Sequence, residues 1–180
     1  LKAGEHVAII GAGPIGVLAA MSALTYGAEP IMIDVVEERL DFARAHGVRY
    51  TINSANENGE EMVRKYTEGR MAELVMECSG ANSAVRSTLD LVSNAGRITL
   101  TGWPKEETPL PTDLITKKEV DIRGARTSAR EFEEAIHLIY SKKVDAASIL
   151  TKTVNLEEAS EAIRQIEKHP EDYMKVNVMV

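Results

Sequence analysis

Three glycines spaced as Gly11-Ala12-Gly13-Pro14-Ile15-Gly16, with the carboxylate Asp34 about 20 residues further on, are the residues here whose types and spacing could do chemistry. Gly11 supplies a tight turn, Gly13 lets the backbone approach a bound pyrophosphate, and Gly16 permits a helix to pack closely on a strand. Pro14 suits the opening turn of a helix, where its fixed φ is preorganised and its missing N–H costs little. Ile15 would then point its N–H toward phosphates, and Asp34 could accept hydrogen bonds from the hydroxyls of an adenosine ribose. A glycine motif alone is weak evidence, so the elements around it decide.

Those elements are legible. His6-Val7-Ala8-Ile9-Ile10 is a short β-branched run that reads as a buried parallel strand, and the helix after the turn runs from about Ile15 through Met21 and Leu24 to Gly27. Ile31-Met32-Ile33 is a second strand that delivers Asp34. The same rhythm continues: a helix over Glu37 to His46, a strand at Tyr50-Thr51-Ile52, a helix around Glu60 to Thr67, and a strand from Leu74 to Cys78. Asn82 can cap the next helix, whose inner face is Val85, Leu89 and Val92. Arg97 to Leu100 and Val120 to Arg123 read as strands five and six, separated by a proline-rich crossover with a helical turn near Asp113 to Lys117. The expectation is an α/β fold, a doubly wound six-stranded parallel Rossmann sheet of order 3-2-1-4-5-6 over residues 1–128.

A tail over residues 129–180 should add helix, strand, helix and strand. Ser128 with Glu131 reads as a capping box for a helix through Ile136 and Ile139 to Lys142, and Asn155 with Glu158 as a second one. Ile149 to Val154 and Val176 to Val180 read as strands with no place in the six-stranded sheet, so they need each other or a further partner. A sheet that binds another nucleotide, such as S-adenosylmethionine, or binds none, would share much of this pattern.

Composition narrows the function. The chain has 180 residues and a formal net charge of −7. It has no basic stretch, which argues against nucleic acid, and no run near the ~20 apolar residues of a membrane span. Without a signal peptide, and with Cys78 as its one cysteine, the chain is expected in the cytoplasm. It opens on Leu1 and enters the first strand almost at once, which suggests a piece of a longer protein. One cysteine and four scattered histidines (His6, His46, His137, His169) form no zinc-ligand set, so no catalytic or metal residues are expected within the chain. Cys78 reads as a small packed residue.

With these marks assembled, the chain resembles the cofactor half of the zinc-dependent medium-chain alcohol dehydrogenases, particularly their polyol, threonine and sugar-acid dehydrogenase branch. The resemblance spans nearly the whole chain. It is carried by Ala3-Gly4-Glu5-His6-Val7, the turn at 11–16, Asp34 with Arg39, Glu77-Cys78-Ser79-Gly80, Gly96-Arg97-Ile98-Thr99-Leu100-Thr101-Gly102, and Lys175 before an apolar strand. It implies that Asp34 and Arg39 hold the adenosine ribose of NAD and that Cys78 and Ser79 flank the adenine side. Thr101, Gly102 and Trp103 together with Ala125 to Thr127 would line the nicotinamide, and Lys175 would meet the pyrophosphate. Read from the residues alone, Lys175 could equally be a solvated lysine beside an edge strand, Arg39 an exposed helix residue and Trp103 a packing anchor.

The resemblance further implies zinc in an upstream catalytic domain, on which the tail would partly pack, and a homodimer joined through strand 120–123 and segment 108–111. Three functions compete: the NAD-binding part of a polyol or sugar-acid dehydrogenase, a non-catalytic dinucleotide sensor, and a fragment of a zinc-free quinone reductase. Asp34 opposes the 2′-phosphate of NADP that such a reductase would use. Gly124 to Ser128 with Glu167-Lys168 look closest to the galactonate or idonate type of sugar-acid dehydrogenase.

Overall fold

In a computed structural model, which describes residues 1–128 and 130–180, six strands alternate with helices in chain order. They are β1 (His6–Ile10), α1 (Pro14–Thr25), β2 (Glu29–Asp34), α2 (Glu37–Ala45), β3 (Tyr50–Asn53), α3 (Gly59–Tyr66), β4 (Ala72–Glu77), α4 (Asn82–Leu91), β5 (Val92–Leu100), α5 (Thr112–Lys118) and β6 (Asp121–Gly124). All pairings are parallel and the order is β3-β2-β1-β4-β5-β6, as the alternation of elements requires. Both faces are covered. Val7, Ile9 and Met32 point to one face with Val17, Ala20 and Met21 of α1, while Ala8, Ile10, Ile31 and Ile33 point to the other with Val63 and Leu89. This two-sided burial explains why β1 reads as an uninterrupted apolar run. At the opposite end from the glycine turn, Arg97 of β5 donates to Glu5 at 2.7 Å and holds that carboxyl below the usual carboxylate range.

Beyond β6 come α6 (Phe132–Tyr140), β7 (Leu150–Asn155), α7 (Ala159–Lys168) and β8 (Lys175–Met179). The last two strands pair with each other, in parallel, as a separate two-stranded sheet with α7 as the crossover. The Asn155–Glu158 capping box forms, leading through a 3-10 turn (Leu156–Glu158) into α7. Ala129, where the tail was expected to begin, lies outside the described residues.

Three local expectations are corrected. Asn82 does not cap α4, because the cap position falls on Ala81. Its side-chain amide instead donates to the carbonyls of Glu106 and Glu107 and to Thr108 Oγ1, fastening the proline-rich crossover. Val92 opens β5 instead of closing the helical face, since α4 passes into the strand without a loop. Before α6, the Ser128 hydroxyl donates to the Glu131 carboxylate and the helix begins at Phe132. Among the described residues no helix is long and apolar enough to cross a membrane.

Candidate functional site

The glycine turn lies between β1 and α1, where the local sequence leaves little choice of geometry. A methyl group on Gly16 would fall inside the Gly11 carbonyl oxygen, so the first turn of α1 and the end of β1 approach as only glycine allows. Gly13 has open space above it and is followed by Pro14 at the helix start. The first turn of α1 carries no acidic residue, and Ile15 presents an exposed side chain at the mouth. The N-terminus of α1 therefore faces an open space with no acidic residue of its own first turn to compensate its amide dipoles.

Asp34, at the carboxyl end of β2, is held by backbone. Its Oδ2 accepts from the Ala12 N–H at 2.6 Å, and its Oδ1 accepts from Val35 and Val36 N–H at 2.7 and 2.9 Å. Three donors on four acceptor positions fix the carboxylate and leave capacity for one more partner. That capacity faces a cleft of about 550 Å³, lined among others by Gly11, Asp34, Ser54, Ser79 and Ser83. Glu57, Glu60 and Asp90 also line it, so the cleft beside Asp34 has an acidic rim.

On the other side of the sheet's midline, Glu77 closes β4. It is completely buried, and its Oε1 accepts from Ser79 N–H (2.7 Å), Ser79 Oγ (2.5 Å) and Gly80 N–H (2.9 Å). Its main-chain carbonyl accepts from both Thr101 and Gly102 N–H at 2.9 Å. Gly102 lies so close to Glu77 Oε2 and Gly80 that a side chain there would collide with both. One residue thus ties the loop after β4 to the loop after β5. Next to it, Cys78 turns away from the cleft into the core on the α1 face. Burial first, and the neighbouring Glu77 charge second, push its thiol up to about 12, which leaves it protonated and inert.

Trp103, 70% exposed, stands at the outer end of this wall with the Arg126 guanidinium 4.5 Å from its ring centre. Ala125 N–H donates to the Leu100 carbonyl and carries the segment through Thr127 past the same edge. The structure therefore places Gly11, Asp34 and Ser79 on the lining of the cleft, Gly13, Pro14, Ile15 and Gly16 in the turn and helix start that follow Gly11, and Thr101, Gly102, Trp103, Ala125 and Thr127 at the ends of β5 and β6. It does not bring Arg39 or Lys175 to that cleft. Arg39 donates from Nη2 to the Pro170 carbonyl at 2.9 Å, joining α2 to the tail, and Lys175 is exposed at the start of β8. Glu77 escaped the sequence reading as a site residue. An acid closing the apolar run Leu74-Val75-Met76, where burial costs a charge dearly, was the available signal.

Among the described residues only His169, Glu171 and Asp172 cluster closely enough to hold a metal ion, and all three are exposed. With Cys78 protonated and packed, these residues do not fit a catalytic zinc.

Residues 14–141 match the zinc-binding dehydrogenase family. The chain is 50% identical over 179 residues to a zinc-type alcohol dehydrogenase-like protein of Haemophilus influenzae, covering 99% of this chain and 52% of that protein. It is 30% identical over 181 residues to D-xylulose reductase of Saccharomyces cerevisiae, covering 97% of this chain and 51% of that enzyme. Among solved structures, an Escherichia coli alcohol dehydrogenase complexed with the cofactor NADH superposes with a TM-score of 0.87 at 26% identity, over 97% of this chain and 52% of its own. The chain spans about half the length of the curated relatives it matches.

Proposed function

This chain belongs to the zinc-binding dehydrogenase family, and from that premise we propose that it is the NAD-binding part of an oxidoreductase acting on a secondary alcohol of a polyol or sugar acid. The observation that carries the reading is the fixed Asp34 carboxylate beside an open glycine turn and an acid-rimmed cleft. Bound NAD supplies the hydride acceptor. The residues of this chain do the holding. The amides at the start of α1 face the pyrophosphate, Asp34 accepts one adenosine ribose hydroxyl, and Ser79 closes the adenine side. Thr101 to Trp103 and Ala125 to Thr127 form the wall at the nicotinamide end. Arg39 and Lys175 complete the site only if the tail segment moves with them, because the Arg39 guanidinium is engaged by Pro170.

Any catalytic zinc belongs, on this proposal, to residues outside this chain, in a partner domain against which residues 129–180 pack. The D-xylulose reductase relative supports a polyol as the substrate class. The exposed edge at β6, with Thr108 to Pro111 beside it, is proposed to pair with a second copy so that both edges are satisfied at once. A dimer is expected by light scattering at tens of micromolar, and a strict monomer there would exclude this edge as the joint.

Calorimetric titration of the 180-residue chain tests the cofactor reading. NAD should bind and NADP should bind about a hundredfold more weakly, because a 2′-phosphate would meet Asp34 and the acidic rim in a partly buried cleft. With NAD, zinc and a panel of polyols and sugar acids the same sample should show no sustained cofactor reduction. Equal or tighter NADP binding would overturn the assignment.

A further inference from the structure

A wholly buried carboxylate at the end of β4 has no role in holding NAD by contact. Every hydrogen bond to the Glu77 side chain comes from a neutral donor and falls on Oε1. Oε2 is buried without a hydrogen-bond partner and packs on Gly102. Among the described residues Glu77 takes part in no ion pair. Its negative charge is therefore not neutralised where it sits, and the rise of the adjacent Cys78 thiol is partly its effect.

The position of that charge is informative. A doubly wound sheet holds one mononucleotide on each half, on either side of the switch point between β1 and β4. With the adenosine half at Asp34 and β2, and Ser79 of the loop after β4 on that side, the nicotinamide half falls against the loop after β5, Thr101 to Trp103, which Glu77 ties down through its main-chain carbonyl and through Oε2 packed on Gly102. The nicotinamide ring is positively charged in NAD⁺ and neutral in NADH. A fixed negative charge in a low-dielectric wall attracts the first and is indifferent to the second. Arg126, a cation on this wall, is exposed over the Trp103 ring, where its charge is screened.

Resting on the NAD site proposed above, we infer that Glu77 is a specificity-determining residue that shifts the site's preference toward the oxidised cofactor. It does so through charge, besides joining the loops after β4 and β5. The two roles separate experimentally, since loss of loop support weakens both redox forms alike, whereas loss of charge weakens NAD⁺ alone.

The test is to titrate NAD⁺ by calorimetry and NADH by its fluorescence into the 180-residue chain and its Glu77→Gln, Glu77→Met, Glu77→Asp and Ser79→Ala variants, with thermal melts to verify folding. The ratio Kd(NAD⁺)/Kd(NADH) should rise about five- to tenfold in the two neutral variants, of which either one that folds suffices. Glu77→Asp and Ser79→Ala, which keep the charge, should leave the ratio within about twofold even where both affinities fall. A parallel loss of both affinities in Glu77→Gln or Glu77→Met, with the ratio unchanged, would overturn the inference while leaving the NAD site standing. A parent chain that binds neither nucleotide would instead sink the NAD reading itself.

Discussion

Helices α1 and α6 pack against the same face of the sheet and end in different circumstances. α1 buries Gly16, Val17, Ala20, Met21 and Ala23 in the core it shares with the chain's own strands and leaves Ile15 as its one exposed large apolar residue. α6 contributes Leu138 to that same core, yet Phe132, Ile136, Ile139 and Tyr140 stand exposed along it. The strands repeat the contrast. β1 is buried at all five positions, whereas β7 buries only Val154. Apolar spacing is enough to make a helix or strand, but whether its apolar surface is covered depends on which neighbours the chain supplies. A row of exposed large apolar side chains marks a surface suited to a partner, in keeping with the proposal that the tail packs on a further domain.

The sharpest way to break this contrast is at the tight end. Gly16→Ala places a methyl group against the Gly11 carbonyl, which is backbone and cannot swing aside. The cost is expected at about 3 kcal/mol or more, a fall of roughly 10 °C in Tm, with NAD binding lost because the turn must open. Differential scanning calorimetry checks it, and a melt within a degree of the parent would mean that the helix is free to shift. A second probe takes the covered residue of the loose end. Leu138→Ala, at a site 8% exposed, should cost about 2–3 kcal/mol, less than Gly16→Ala because a cavity forms without a backbone clash.

How much of this could be read beforehand depended on sequence separation. The turn at 11–16, Asp34 and the Asn155–Glu158 cap are local patterns, and each appears where its spacing places it. So does the strand order, since alternating elements admit few topologies. What escaped was long-range. Asn82 looks like a cap, but its amide is taken by carbonyls about 25 residues away, and Arg39 is drawn to a carbonyl 131 residues on. Neither neighbour is visible in a local window. In sequence Glu77 is legible only as part of a motif, because nothing in Glu77-Cys78-Ser79-Gly80 says that the acid folds back to gather the N–H groups of its own turn. Of the two partners open to the tail strands, each other or a further domain, the structure shows the first, because α7 returns the chain beside β7.

The smallest effect is expected two residues before Leu138, on the opposite side of the same helix. Ile136 is 62% exposed, so replacing it with serine removes little surface from contact and even relieves apolar exposure to water. The helix keeps its anchor, because Leu138 stays in the core and the Tyr26 hydroxyl still donates to Glu134 at 2.8 Å. Serine lowers helix propensity by a fraction of a kcal/mol, so Ile136→Ser should change stability by no more than about 0.5 kcal/mol and Tm by about 1–2 °C. A loss in the 180-residue chain as large as that from Leu138→Ala would mean that α6 is already covered in solution, by a second copy or by a rearranged tail. In a longer protein where a further domain packs on this helix, the same substitution should cost about 2 kcal/mol, since the isoleucine would then be buried in the folded state and exposed on unfolding. The difference between those two measurements on one residue is the direct readout of whether the exposed face of α6 is a surface awaiting a partner or simply a tolerated exposure.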